Sequence, residues 1–302
     1  MSKTMSSQPP QPRTSRRLLN RIFWKAASAM ALSGLYTGDL DDRWMQVQRR
    51  AMPLAGLGSG FDGCTIAHIS DLHLCAIVRE AYLLNFVEAV NEIGVDFVAI
   101  TGDMVTGHRR AVRKVVRLIG QFQPRIATLA CLGNHDYGMW HPRGYGGRPG
   151  LAEYLSDHLL DAGVHLMNNH SHIFRQKGAV LQFVGLEDLW TNRYDPAKAF
   201  RRIDPTRPTV ALVHNPDAAP ELAALGAQWV LAGHTHGKDT RGSLRRMALP
   251  SRHRHFVAGQ YPLGDEKYLY VNRGLGHSRR RRLGDRPEIT LFTLRRQAVL
   301  CA

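Results

Sequence analysis

The sequence predicts an α/β fold built on a largely parallel sheet with both faces covered, and three observations lead there. From about residue 62 onward, apolar runs of strand length alternate with helix-spaced patterns. These runs are apolar throughout rather than at every second position, as in strands buried on both faces. Five polar blocks also sit where such runs stop: Asp71-Leu72-His73, Gly102-Asp103, Gly133-Asn134-His135-Asp136, His214 and Gly233-His234-Thr235-His236. In open α/β sheets ligands lie beyond the carboxyl ends of the strands.

Residues 1–14, rich in Ser, Pro, Gln and Thr, are expected to be disordered. Residues 15–40 form a different segment. Arg17, Arg21 and Lys25 recur every four positions, with Leu18, Leu19, Ile22, Phe23, Ala26 and Met30 on the other side. That spacing predicts a basic amphipathic helix lying in an anionic membrane interface. The uncharged run 26–38 is too short to span a bilayer, which takes ~20 residues. Ser15-Arg16-Arg17-Leu18-Leu19 also fits a twin-arginine export signal, and a plain helix packed on the domain is the third reading. The corresponding locations are the cytoplasmic face of a bacterial inner membrane, held peripherally, or the periplasm after export. Residues 41–61 read as a linker, and 62–302 as one catalytic-sized domain.

Within that domain, strands are expected over 65–70, 96–101, 126–132, near 164–168, and over 180–185, 209–213, 228–232, 267–272 and 288–294. Helices are expected over 78–93, with Tyr82, Phe86, Val90 and Ile93 in phase, and over 109–122, with Val112, Val115, Ile119 and Phe122 inward. Two more follow, over 151–162 and 218–225. The glycine-rich stretch 138–149, carrying Trp140, His141 and Tyr145, reads as a loop beside the third block, either closing over substrate or plain surface. Glu187 and Asp188 read as a solvated loop, with support of metal ligands as the alternative.

Composition narrows the class. A chain of 302 residues, 44% hydrophobic and 22% charged, is globular and large enough for a substantial core. Cys64, Cys75, Cys131 and Cys301 have no short paired spacing, which excludes a disulfide framework or zinc ribbon. The net charge of +15 lies in two zones, residues 1–50 and 238–286, while the rest is neutral. Two separate basic zones predict anionic partners at particular faces.

Carboxylate oxygens and imidazole nitrogens ligate divalent first-row metals. Asp71 and His73, two apart on an extended segment, would project the same way, and so would His234 and His236. With Asp103, Asn134 and His214 they give enough donors for two ions, and Asp103 is the best bridging candidate. Two such ions clamp a phosphoryl oxygen for in-line attack. The remaining histidines, among them His68, His108, His141 and His277, read as ordinary core or surface residues.

The five blocks, in this order, resemble the calcineurin-like metallophosphoesterases. The resemblance implies a four-layer α/β/β/α sandwich over about 62–296, with a dinuclear centre at the carboxyl ends of the strands. It implies one ion on Asp71, His73 and His236, a second on Asn134, His214 and His234, and Asp103 bridging. It casts His135 as the group that stabilises the transition state or protonates the leaving oxygen, with Asp136 orienting it. The chemistry implied is attack by a metal-activated hydroxide, with Mn the metal suggested and Fe or Zn alternatives.

Tyr270-Val271-Asn272-Arg273-Gly274-Leu275-Gly276 and Pro287-Glu288-Ile289-Thr290 are similar to a bacterial, membrane-associated branch that includes UDP-2,3-diacylglucosamine pyrophosphatases of lipid A synthesis. Gly237-Lys238-Asp239 stands where that branch has Gly-Gly-Gln, and an Arg/His-rich insert, 241–255, follows. Arg241, Arg245, Arg246 and Arg273 are the candidate substrate-binding residues, since arginine pairs bidentately with phosphate. The expected substrate is a lipid-linked phosphoester. A nucleotide or nucleic-acid phosphodiesterase is the alternative, because basic segments also track phosphate backbones. A catalytically silent metal-binding module is the reading from another class.

Overall fold

The computed structural model describes residues 45–141, 147–237, 256–276 and 286–297. The expected tail and amphipathic segment, 1–40, lie outside the described residues, as do the basic stretches 238–255 and 277–285 with Arg241, Arg245 and Arg246.

The chain runs β1 (Gln46–Leu54), β2 (Thr65–Ile69), α1 (Glu80–Ile93), β3 (Phe97–Thr101), α2 (Arg109–Ile119) and β4 (Ala127–Cys131), then a 3-10 turn (Asn134–Tyr137). It continues through α3 (Leu151–Asp161), β5 (His165–Leu166), β6 (His170–Gln176), β7 (Ala179–Gly185), α4 (Pro196–Phe200) and β8 (Thr209–Leu212). It closes with α5 (Ala219–Ala224), β9 (Trp229–Ala232), β10 (Gly259–Pro262), β11 (Tyr268–Val271) and β12 (Glu288–Arg296).

Two six-stranded sheets result, ordered β1-β12-β2-β3-β4-β5 and β10-β11-β9-β8-β7-β6. Pairing is parallel except at β12–β2, β10–β11 and β6–β7. Alternate residues of the central strands enter different cores, which is why those strands are apolar throughout. Ile66, Phe97 and Leu129 face Phe183, Leu212 and Trp229 between the sheets. Ala67, Val98, Ile100 and Ala130 pack outward on Phe86, Val90, Val112, Val115 and Leu155 of the helices. On the far side Ala211, Val230 and Leu269 pack on Ala199, Ala219 and Leu222. The four-layer α/β/β/α sandwich is therefore present.

The linker expected over 41–61 is not one. Residues 46–54 form β1, which pairs in parallel with the whole of β12. Its middle residues Arg49, Arg50 and Ala51 are exposed while Met52 and Leu54 are buried, so the buried alternation is confined to one end. β6 and β10, both sheet-edge strands, also lack the apolar run used to find the others. Among the described residues no helix is long and apolar enough to cross a membrane.

Candidate metal centre and active site

The five polar blocks meet at the carboxyl ends of the central strands. The 71–74 and 102–105 segments continue the β2–β3 pairing past the strands. Asp71 N–H donates to Gly102 O (3.0 Å), His73 N–H to Asp103 O (2.8 Å) and Leu74 N–H to Met104 O (3.0 Å). The backbone there is not extended, contrary to the geometry expected from the two-residue spacing. Asp71, His73, Asp103, His234 and His236 have φ of 50°, 48°, 53°, 74° and 54°. They are five of only nine described non-glycine residues with positive φ. L-residues avoid this region at a cost of order 1–3 kcal/mol each, and such strain collects at functional sites.

Asp103 lies at the middle. Its Oδ2 is 3.5 Å from His73 Nε2 and 3.2 Å from His214 Nε2, and its Oδ1 accepts the His135 backbone N–H at 2.9 Å. On one side His73 Nε2 and His236 Nε2 stand 3.0 Å apart, with Asp71 Oδ1 3.3 Å from the latter. On the other, His214 Nδ1–H donates to Thr101 O (2.9 Å), which turns its Nε2 toward Asp103 and to 3.2 Å from His234 Nδ1. Three overlapping groups, Asp71-His73-His236, His73-Asp103-His135 and Asp71-Asp103-His214, each bring their ligand-capable atoms within 4.8 Å of one another.

Asn134 supplies the test of whether these residues fit a metal. Its Nδ2 is tied to Met139 O at 2.8 Å, while its Oδ1 is buried with no hydrogen-bond partner. A buried amide oxygen without a donor is costly, and a cation satisfies it. The mixed imidazole, carboxylate and amide donors suit Mn, Fe or Zn alike.

Electrostatics agree. Burial opposes the charge on Asp103, yet His214, His135 and His73 outweigh it and hold the carboxyl well below its usual range. Burial likewise opposes a charge on His214, but Asp103 lifts that imidazole well above its ordinary value. Burial pushes Asp71 up to about 6, with the Asp103 charge adding to it, and pushes His234 down to about 3. Burial drives Asp71 and His234 toward their neutral forms while Asp103 and His214 keep opposite charges in the same buried cluster, the kind of strongly perturbed set that marks a functional site.

Three glycines in the blocks are spatially required. Gly102 has φ +78°, and a Cβ there would lie 2.6 Å from both Gly133 N and His214 Nδ1. Of the three, only Gly102 has a positive φ. Gly133 has φ −106° and is glycine because a Cβ would overlap Asp103, and Gly233 because one would overlap Asp71.

The catalytic candidates separate. The His135 ring is 5.0 Å from that of His73, and its Nδ1 is buried without a partner. Asp136 accepts instead from Gly133 N–H (2.9 Å) and Val105 N–H (3.0 Å), so its carboxylate braces the turn that carries Asn134 and His135. Arg273 donates to Gln46 Oε1 at 3.1 Å and sits 3.5 Å from Glu288 Oε2, which ties its guanidinium to β1 and β12 beside Gly237.

Some contributors escaped the sequence reading. Ser70 Oγ donates to Asp71 Oδ2 (2.6 Å) and lies 3.2 Å from Asn272 Oδ1. Asn272 in turn binds Thr290 Oγ1 (2.9 Å), which donates to Glu288 Oε1 (2.7 Å), so a buried polar chain runs away behind Asp71. Asp188, expected in a solvated loop, is fully buried and accepts from Trp190 N–H at 2.9 Å. Glu187 accepts from the Tyr137 hydroxyl.

Residues 64–238 match the family described as Calcineurin-like phosphoesterase. The chain is 29% identical to "Uncharacterized metallophosphoesterase YkuE" of Bacillus subtilis, covering 93% of this chain and 97% of that protein. It is 25% identical to "UDP-2,3-diacylglucosamine pyrophosphatase LpxG" of Chlamydia muridarum (88% and 94% covered). It is 26% identical to "Phosphodiesterase YaeI" of Escherichia coli (76% and 81% covered).

Proposed function

The chain belongs to the calcineurin-like phosphoesterases, and on that premise we propose that it hydrolyses a phosphodiester or pyrophosphate bond in a lipid-linked substrate of the UDP-2,3-diacylglucosamine kind. The observation that carries the hydrolytic reading is the Asp103 carboxylate, whose one oxygen reaches both histidine groups, 3.5 Å from His73 and 3.2 Å from His214. Asp71, His73 and His236 would hold one ion, Asn134, His214 and His234 the other, and Asp103 both, with Mn the proposed metal. Bound ions of this kind lower the pKa of a water and draw charge from phosphoryl oxygens.

The rest falls to the chain's own groups. His135 faces the ligand cluster from the Asp103 side and is placed to stabilise charge or deliver a proton to the leaving oxygen. Asp136 keeps it there through the backbone of the turn. Asp71 is held by Ser70 Oγ and by His234 N–H at 3.1 Å.

Two features support a lipid-linked substrate. The Chlamydia relative, named for UDP-2,3-diacylglucosamine pyrophosphatase activity, aligns along most of both chains. The basic zone opens at Lys238, two residues after His236, where arginines would meet phosphate. Residues 15–40 are the proposed contact with an anionic membrane surface.

The test is hydrolysis by Mn²⁺-loaded full-length protein of UDP-2,3-diacylglucosamine in detergent, bis(4-nitrophenyl) phosphate and a single-stranded oligonucleotide. Turnover of the first far above the others supports the reading. Preference for the oligonucleotide replaces the lipid substrate with nucleic acid, and hydrolysis of none overturns the phosphoesterase reading.

A further inference from the structure

We infer that the Trp140 indole is the surface that receives the apolar part of the substrate's leaving group. Four large hydrophobic residues are exposed among the described residues: Ile77, Trp140, Leu160 and Leu225. Leu160 and Leu225 sit at the ends of α3 and α5. Trp140, 53% exposed, sits on the active site. Its ring packs edge-to-face on His135, with centroids 4.8 Å apart and planes at 83°. An indole left this open to water forgoes about half of its burial energy, and exposed apolar surface beside a site marks a place where a ligand covers it.

The residue is also held in place. Gly138 N–H donates to His135 O and Met139 N–H to Asn134 O, both at 2.9 Å. Asn134 Nδ2 donates back to Met139 O, immediately before Trp140. The indole Cζ2 comes within 3.8 Å of where a Cβ on Gly107 would stand, so the ring lies over a residue with no side chain to displace it. The same turn that carries the Asn134 amide oxygen and His135 therefore fixes the tryptophan. A second indole, Trp190, packs on His234 at 4.7 Å and 89° but is only partly exposed.

This inference rests on the phosphoesterase reading, in which His135 attends the leaving oxygen. A leaving group that extends from that oxygen passes Trp140, whose ring packs on His135; in a pyrophosphate its apolar part lies beyond the second phosphoryl group. The chemistry that fits is an apolar part of the leaving group within reach of the indole, an acyl chain or an aromatic ring.

The experiment measures competitive inhibition of bis(4-nitrophenyl) phosphate hydrolysis by methyl-, phenyl- and octylphosphonate, using Mn²⁺-loaded full-length protein. Wild type should bind phenyl- or octylphosphonate at least about 10-fold more tightly than methylphosphonate. Trp140→Ala should compress that ratio to within about 3-fold and leave the methylphosphonate constant almost unchanged, while Trp140→Phe keeps most of it. The phenyl and octyl arms separate an aromatic from an acyl occupant. A second readout avoids turnover: phenylphosphonate should change the tryptophan emission of wild type, and the change should be missing in Trp140→Phe. An unchanged ratio in Trp140→Ala, or equal weakening of all three inhibitors, overturns the inference, because the indole then only braces His135. If no phosphonate competes in any variant while the diester is still cleaved, the inference falls and the phosphoesterase reading stands. If the diester is not cleaved, both fall.

Discussion

Asn272 is predicted to control Asp71, a proposed metal ligand it never touches. Its Oδ1 accepts from Gly274 N–H at 2.8 Å and lies 3.2 Å from Ser70 Oγ, the hydroxyl that donates to Asp71 Oδ2 at 2.6 Å. Its Nδ2 donates to Thr290 Oγ1 at 2.9 Å, and the whole group is buried. Asn272→Ala deletes two short buried hydrogen bonds and leaves their partners in the dry interior. At about 1–3 kcal/mol for each unsatisfied group, the loss should be about 2–6 kcal/mol of unfolding free energy. Because Asn272 Oδ1 also fixes the Gly274 N–H, and the Gly274 backbone packs against the Asp71 side chain, Mn²⁺ affinity should fall about 10- to 100-fold, as when the supports of a metal ligand are removed. Ser70→Ala separates the effects: it should weaken Mn²⁺ by about 10-fold while costing only about 1 kcal/mol of stability. Urea unfolding of the apo forms gives the first quantity and calorimetric titration with Mn²⁺ the second. If Ser70→Ala binds Mn²⁺ like wild type, the polar chain stabilises the fold but does not position Asp71.

Three further outcomes follow from the same geometry. Gly102→Ala should abolish metal binding and hydrolysis, since its Cβ would stand 2.6 Å from Gly133 N and His214 Nδ1 on a φ of +78°; a variant that still binds two ions would refute the packing described. Burial pushes the fully buried His68 from its ordinary 6.5 down to about 3. The unfolded chain therefore takes up a proton first as pH falls, and the contribution is complete above 6.5, declines below it and is lost by about 3. That amounts to ~5 kcal/mol in all, or ~1.4 kcal/mol per pH unit, which His68→Gln should not show; parallel acid dependence of wild type and variant in urea unfolding would remove His68 from the account. Finally, Asp103 raises the His214 pKa well above its ordinary value in the apo site, so metal binding must release that proton, and the apparent Mn²⁺ affinity should weaken as pH is lowered through the neutral range. Titrations in buffers of different ionisation enthalpy should detect the released proton, and its absence would mean that His214 does not ligate.

The motifs were legible because the chemistry allows few residue types at strand ends, and because five of them in series follow the strands of both sheets at their carboxyl ends. Their backbone was not. An extended segment and a chain with left-handed residues at alternate positions both throw Asp71 and His73 to the same side, so spacing alone does not distinguish them. β1 was missed because its middle, Arg49-Arg50-Ala51, faces water while only Met52 and Leu54 enter the core. β6, His170–Gln176, was missed because the edge of a sheet tolerates a polar strand. Ser70 and Asn272 are 202 residues apart and carry no motif of their own; only the fold makes them neighbours. Asp188 reads as solvated from its place after an apolar strand, yet it is buried beside charges of the centre and pushed up to about 6 by that burial.

The central claim is that Asp103 joins two ligand groups into one hydrolytic centre. Metal content of the purified protein, measured alongside bis(4-nitrophenyl) phosphate hydrolysis for wild type and Asp103→Asn, tests it most directly. The account predicts two divalent ions per wild-type chain, activity lost on chelation and restored by Mn²⁺, and an Asp103→Asn protein that has lost at least one ion and at least about 10²-fold of its rate. Two ions and near wild-type turnover in Asp103→Asn would contradict it.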